Sequence, residues 1–179
     1  MSGGVTGETG PARAAAAKGP QQQFVGFRLD GTDYAISILR IREIILMRPI
    51  TRLPQVPAYV EGLINLRGTV IPIVSLRRRF GLPAREIDED TRTIVVTIGE
   101  KTVGCIVDEV TKVLRIEADA LRPPPISLAA GARKHIAGLA RHDDRLLILL
   151  DLDALLDADE LDPEALPPVA ALAAGGPND

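Results

Sequence analysis

The tightest constraint on this chain is a pair of apolar runs separated by two turn-forming residues. Leu63, Ile64 and Leu66 lead into Arg67–Gly68, and Val70, Ile71, Ile73, Val74 and Leu76 lead out. Glycine adopts the positive φ that a tight reversal requires, so the spacing predicts two antiparallel strands joined near Arg67–Gly68. Both runs are apolar at nearly every position. A strand wetted on one side alternates, so these strands are expected to be covered on both faces. Pro72 has no N–H for a ladder and predicts a sheet edge or a bulge at that point. Beyond Leu76 the pattern changes to Arg77–Arg78–Arg79–Phe80 and stops at Gly81, as a helix of one or two turns with a glycine stop does.

The rest of the chain reads as more of the same. Residues 24–29 alternate, with Val25, Phe27 and Leu29 on one face; Asp30–Gly31 turns the chain, and Tyr34, Ile36 and Ile38 resume the alternation. Residues 41–47 form a further strand-like segment, and Pro49, Pro54 and Pro57 rule out a long helix after it. Residues 82–91 are a charged loop. Strands are expected at 93–98, 103–110 and 113–116, followed by a last hairpin turning through His142–Asp143–Asp144–Arg145. A helix over 153–161 would bury Leu155, Leu156 and Leu161, with Asp153 as a capping residue. Residues 1–21 and 158–179 carry little large apolar surface to repay ordering, so both are expected to be disordered tails around one folded region, 22–157. Nine or ten short strands with little helix argue for small barrels or a sandwich. Two hairpin-rich halves joined by the 82–91 loop would make two barrels.

Chemical centres are hard to find in this pattern. His135 and His142 stand seven apart in different elements, without a third ligand to complete a metal site, and read as solvated loop residues. Cys105, the one cysteine, lies in a β-branched strand and reads as a small core residue. It excludes an intrachain disulfide framework, and a reducing cytoplasm is the simple setting. Asp88, Glu89 and Asp90 adjoin on a loop and read as solvated charge rather than opposed catalytic acids. Phosphate-binding and nucleophile-elbow motifs are absent. A net charge of −3 and an aromatic content of 3% speak against a nucleic-acid surface, and Arg77–Arg78–Arg79 reads as a wet helix face. The N-terminus lacks the apolar run of a signal peptide or anchor.

What remains is surplus apolar strand. Around residues 39–47 one parity holds Leu39, Ile41, Glu43, Ile45 and Met47, and the other Ile38, Arg40, Arg42, Ile44 and Leu46. One face enters a core; the other lies against a second unit or awaits a partner. Arg67, projected from a rigid turn, is either a solvated charge or an anchor for a partner's carboxylate.

The run Gly62–Leu63–Ile64–Asn65–Leu66–Arg67–Gly68, then Pro72–Ile73–Val74, Leu76–Arg77 and Phe80–Gly81, resembles the signature of the CheW family of bacterial chemotaxis coupling proteins. The likeness spans roughly residues 23–156. One departure is Ser75, where the family usually has aspartate. The resemblance implies a mainly β fold of two five-stranded SH3-like barrels packed together, with short helices and a C-terminal helix. It implies a non-enzymatic adaptor without catalytic residues, cofactor or metal. The implied partners are the regulatory domain of the histidine kinase CheA, the cytoplasmic tip of methyl-accepting chemoreceptors and further adaptor copies in rings. Nucleic acid is excluded, and the membrane is approached from the cytoplasm through receptor arrays rather than entered. The positions implied for partner binding are Ile38, Ile41, Glu43, Gly62, Arg67, Val110 and Val113. Two competing readings are a barrel that binds single-stranded nucleic acid and a small hydrolase or transferase.

Overall fold

A computed structural model of the chain describes residues 20–157 and 159–161. β1 (Gln21–Leu29) and β2 (Thr32–Ser37) form the first hairpin, and β3 (Ile41–Leu46) follows a 3-10 turn at Ile38–Arg40. β4 (Val60–Leu66) and β5 (Thr69–Ser75) form the central hairpin, and α1 (Leu76–Arg79) leaves it. β6 (Arg92–Ile98), β7 (Lys101–Val107) and β8 (Glu109–Glu117) come next. After α2 (Ala130–Arg133), β9 (Ile136–His142), β10 (Arg145–Leu150) and α3 (Leu152–Leu155) close the fold. The protein is mainly β, as its sequence leads one to expect. The two expected tails lie almost wholly outside the described residues. At the described ends, Gln21 opens β1 and Leu161 is fully buried.

The central hairpin follows directly from local chemistry. Arg67 has φ 53° and Gly68 φ 89°, the two positive values that a type I′ turn needs. Asn65 Oδ1 accepts the Gly68 N–H at 2.8 Å and holds the reversal. At the far end of the hairpin, Ser75 Oγ accepts the Arg78 N–H at 3.2 Å and caps α1. Serine and aspartate both make such caps, so the departure at Ser75 leaves this bond intact.

The strands pair into two five-stranded sheets of order β8-β1-β2-β10-β9 and β3-β6-β7-β5-β4. Each holds one parallel pair, β2 with β10 and β5 with β7, among antiparallel neighbours. The first sheet therefore joins the N-terminal hairpin to the three C-terminal strands, and the middle five strands form the second. This corrects the expected division into two halves at residues 82–91. Hydrophobic periodicity locates strands, but the non-local β2–β10 pairing that interleaves the units leaves no local mark. Pro72 also departs from expectation, because β5 is an interior strand. Its pairing with β7 runs from Ile73 to Ser75, so Pro72 stands just outside that ladder, and the bulge lies across from it on β4, between Val60 and Gly62.

Alternate residues of these strands enter different cores. Phe24, Ala35, Leu114, Leu147 and Leu149 pack within the first sheet, and Ile64, Leu66, Ile71, Ile73 and Val95 within the second. Between the sheets lies the largest core, including Phe27, Leu29, Ile36, Val74, Ile94 and Val96. Cys105 belongs to it at 1% exposure, and burial pushes its thiol up to about 12. Covered strand faces thus account for the near-continuous apolar runs. Leu155, Leu156 and Leu161 are buried in the same core, but the helix there spans only Leu152–Leu155. Its cap is Asp151, whose Oδ1 accepts the Ala154 N–H at 3.2 Å, and not Asp153.

A buried ion pair fastens the sheets at their junction. Asp108 links β7 of one sheet to β8 of the other and accepts from Arg77 Nε at 2.8 Å and Nη2 at 3.0 Å. The Asp30 N–H and Arg85 Nη1 donate to it as well, at 2.9 and 3.1 Å. Arg77 is 12% exposed, so it is no part of a wet helix face. Arg79 stacks over the Tyr59 ring at 5.3 Å, and Arg78 is the one exposed member of the three. Burial pushes the Asp108 carboxyl up. The Arg77 hydrogen bonds, the Asp30 N–H and the Arg77 and Arg85 charges outweigh it and hold the group below the usual carboxylate range.

Two outcomes follow. Asp108→Asn leaves Arg77 unpaired in a buried site and should lower the unfolding free energy by about 3 kcal/mol in urea titrations. Because the folded carboxyl titrates low, the wild-type advantage is full above about pH 4 and shrinks as pH falls through the folded value. Gly62, at φ 147°, has no room for a methyl: an added Cβ would lie 2.1 Å from the Thr51 carbonyl oxygen. Gly62→Ala should therefore cost more than about 2 kcal/mol, whereas Gly68→Ala, in open space, should cost about 1 kcal/mol, both read from urea midpoints.

Candidate functional site

β3 ends the second sheet, with β6 as its strand partner and its other backbone edge unpaired by any described strand. Burial alternates along it. Ile41, Glu43 and Ile45 are half-buried, while Arg42, Ile44 and Leu46 are exposed. Ile41 packs against the core between the sheets and Ile45 against the interior of the second sheet. Ile44 and Leu46, on the outer face, are 40% and 65% exposed. Leu39, on the preceding turn, is 90% exposed. That turn is held firmly: Ser37 Oγ accepts the Leu39 N–H at 3.2 Å, and Arg40 Nη1 donates to the Thr97 carbonyl at 3.3 Å and to Asp153 at 3.0 Å.

Beside this strand stands the Arg67 guanidinium. It donates from Nη1 to Glu43 Oε2 at 2.8 Å and from Nη2 to Glu43 Oε1, a two-pronged pairing. β3 and β4 stand at opposite ends of the sheet order, so this bridge from β3 to the β4–β5 turn requires the sheet to curl toward closure. Arg67 remains 64% exposed, so the pair contributes only about 0–1 kcal/mol to stability. An arginine held at positive φ on an open turn is not what the core requires.

The other positions marked in the sequence divide by burial. Val110 packs half-buried on the rim of the inter-sheet core, as Ile41 does from the other sheet. Val113, three residues on in edge strand β8, is 54% exposed. Ile38 is half-buried in the 3-10 turn. Gly62 is buried and lets the Thr51 strand approach, through paired Thr51–Leu63 backbone bonds of 2.9 Å. Glu43 and Arg67 are thus in direct contact, and Ile41 and Val110 share a rim. Ile44 and Leu46 were visible in the sequence only as one of two equivalent parities. Nothing in the alternation says which parity faces out.

The polar groups do not converge. His135 is half-buried, with its Nε2 enclosed and unpartnered among the described residues, so it is not a solvated loop residue. Its desolvation, with the Arg79 and Lys134 charges, lowers its pKa. His142 lies within β9, with Nε2 3.4 Å from Asp143. Asp88 organises its own loop by accepting the Asp90 and Thr91 N–H groups at 2.8 and 3.1 Å.

Residues 23–160 match the CheW-like domain family. The chain belongs to the CheW family. It is 36% identical over 140 residues to the chemotaxis protein CheW of Klebsiella aerogenes, covering 78% of this chain and 84% of that protein. Against the Helicobacter pylori CheW the identity is 38% over 137 residues, covering 76% and 82%. The FrzA protein of Myxococcus xanthus is 30% identical over 149 residues, covering 82% and 92%. The crystal structure of the scaffolding protein TtCheW from Thermoanaerobacter tengcongensis superposes with a TM-score of 0.71 at 33% identity, covering 77% of this chain and 89% of that one. CheW-family proteins are scaffolds or adaptors in chemotaxis and not enzymes, and this chain is one of them.

Within that family fold, the two faces of β3 should respond differently to charge. Ile41→Asp places a carboxylate against the inter-sheet core and should lower the thermal midpoint sharply, by the equivalent of about 3 kcal/mol. Ile44→Asp, on the outer face, should shift it by less than about 1 kcal/mol. Circular-dichroism melts of the two variants check this.

Proposed function

We propose that this CheW-family chain holds the regulatory domain of the histidine kinase CheA against the cytoplasmic tips of chemoreceptors. The observation that carries this reading is an unpaired, partly apolar β3 edge lying beside the exposed Arg67–Glu43 pair. Exposed aliphatic groups on a rigid strand give a docking patch, each contributing about 1.5–3 kcal/mol when covered, before the costs of association. Arg67 gives it charge specificity, since its guanidinium fork can engage a partner's carboxylate in exchange for Glu43.

The contact set is Ile38, Ile41, Glu43, Arg67, Val110 and Val113, with Ile44 and Leu46 added from the outer face of β3. Gly62 supports the surface from below by admitting the Thr51 strand. Further copies of the chain extend rings through sheet edges. The adaptor works in the cytoplasm, at the inner face of the membrane, because its receptors hold it there. It carries signal by differential contact: a receptor movement that alters the docking patch shifts the kinase between its active and inactive states. The competing reading, a barrel that binds single-stranded nucleic acid, is not favoured by family or by charge.

The test is co-purification of receptor-tip fragment and kinase with the chain, together with kinase stimulation. Arg67→Glu and Ile44→Asp should each fold normally yet reduce ternary complex and kinase stimulation by about tenfold or more, as loss of a central interface anchor does. Folded variants that couple as well as wild type would refute the assignment.

A further inference from the structure

A cavity of about 450 Å³ opens on the second sheet, between the segment after β3, the start of α1 and the loop before β6. That is the size of a small-molecule site. Five arginines line it: Arg48, Arg52, Arg77, Arg78 and Arg85. Only three carboxylates face them, those of Glu61, Glu86 and Asp108. A chain of net charge −3 thus gathers a positive excess in one hollow.

The pairing within the cavity leaves part of that charge uncommitted. Arg77 is used up by Asp108 and Asp30, and Arg85 divides between Asp108 and Asp88. Glu61 is shared, 2.9 Å from Arg78 Nε and 3.7 Å from Arg52 Nη1. The second distance is too long for a hydrogen bond, and the Arg52 side chain is 77% exposed. Arg48 is exposed and makes no ion pair among the described residues. Pro49, Ile50 and Ile87 supply an apolar wall beside these two guanidinium groups.

We propose that this cavity binds a small ligand bearing a di- or triphosphate, with Arg48 and Arg52 as the principal phosphate contacts. Two under-used guanidinium forks close together call for two or more negative charges in a small volume. A phosphate chain supplies them with oxygens matched to the forks, and a single carboxylate does not. The buried Arg77–Asp108 pair beneath fixes the floor of the site rather than contacting the ligand. The apolar wall leaves room for a group attached to the phosphates, which makes a nucleotide and free pyrophosphate the two sources of this chemistry.

Calorimetric titration of the full chain with pyrophosphate, and separately with ATP, at about 0.15 M salt tests this. Saturable one-to-one binding is expected. The exposed-site variant Arg48→Gln/Arg52→Gln should weaken it by about tenfold or more, while Arg115→Gln, on β8 away from the cavity, should leave it unchanged. Tighter binding of ATP assigns the site to a nucleotide, and equal affinity assigns it to the phosphate chain alone. No saturable binding of either probe would overturn the proposal. So would an affinity that the double variant leaves intact, with melting curves confirming that it is folded, or an equal loss with Arg115→Gln.

Discussion

The core between the two sheets is the constraint on which the rest of the structure depends. Phe27 and Ile36 enter it from one sheet, Val74, Ile94 and Val96 from the other, all 2% exposed or less. Each sheet must also cover its own interior, so the central strands are coated on both faces and carry large aliphatics at successive positions. That arrangement uses up nearly all apolar strand surface. It also sets the junction between the sheets, where Asp108 passes the chain from β7 to β8 and is fixed by Arg77.

The one strand that escapes double coverage is β3. It pairs on one side only, and its outer face meets no second layer, so Ile44 and Leu46 stay in water. Aliphatic side chains left exposed on an unpaired edge invite association, and natural sheets ordinarily guard such edges with charge. Here the guard is local: Arg42 lies on the same face, and Glu43 is held by Arg67. A scaffold needs such a combination, with enough apolar surface to hold a partner and enough charge to choose it.

How much was legible in the sequence depends on how local the cause was. The Arg67–Gly68 turn and the short helix from Leu76 to Arg79 were legible because their signals lie within a few residues: a glycine, an asparagine, a capping serine. The burial of Cys105 followed from its β-branched neighbours. The interleaved topology was hidden, because the parallel β2–β10 pairing joins residues 33–35 to 147–149 with no local trace. Arg77 was misread for the same reason: its partner Asp108 is thirty-one residues away, and a run of three arginines looks alike from within. Of the candidate site, the motif marked Arg67 and Glu43, but the choice between the faces of β3 depended on which face the second sheet interior would claim. Asp151 rather than Asp153 caps the last helix because that helix starts one residue earlier than its leucines imply.

The central claim is that this CheW-family chain works through the open face of β3 and the adjoining turn. Backbone hydrogen–deuterium exchange, measured on the chain alone and with receptor-tip fragment and CheA regulatory domain, tests it most directly. The account expects exchange in residues 41–46 and 66–69 to slow by about tenfold or more on complex formation, as burial of a docking strand produces. A complex that forms while those residues exchange as freely as before would contradict it.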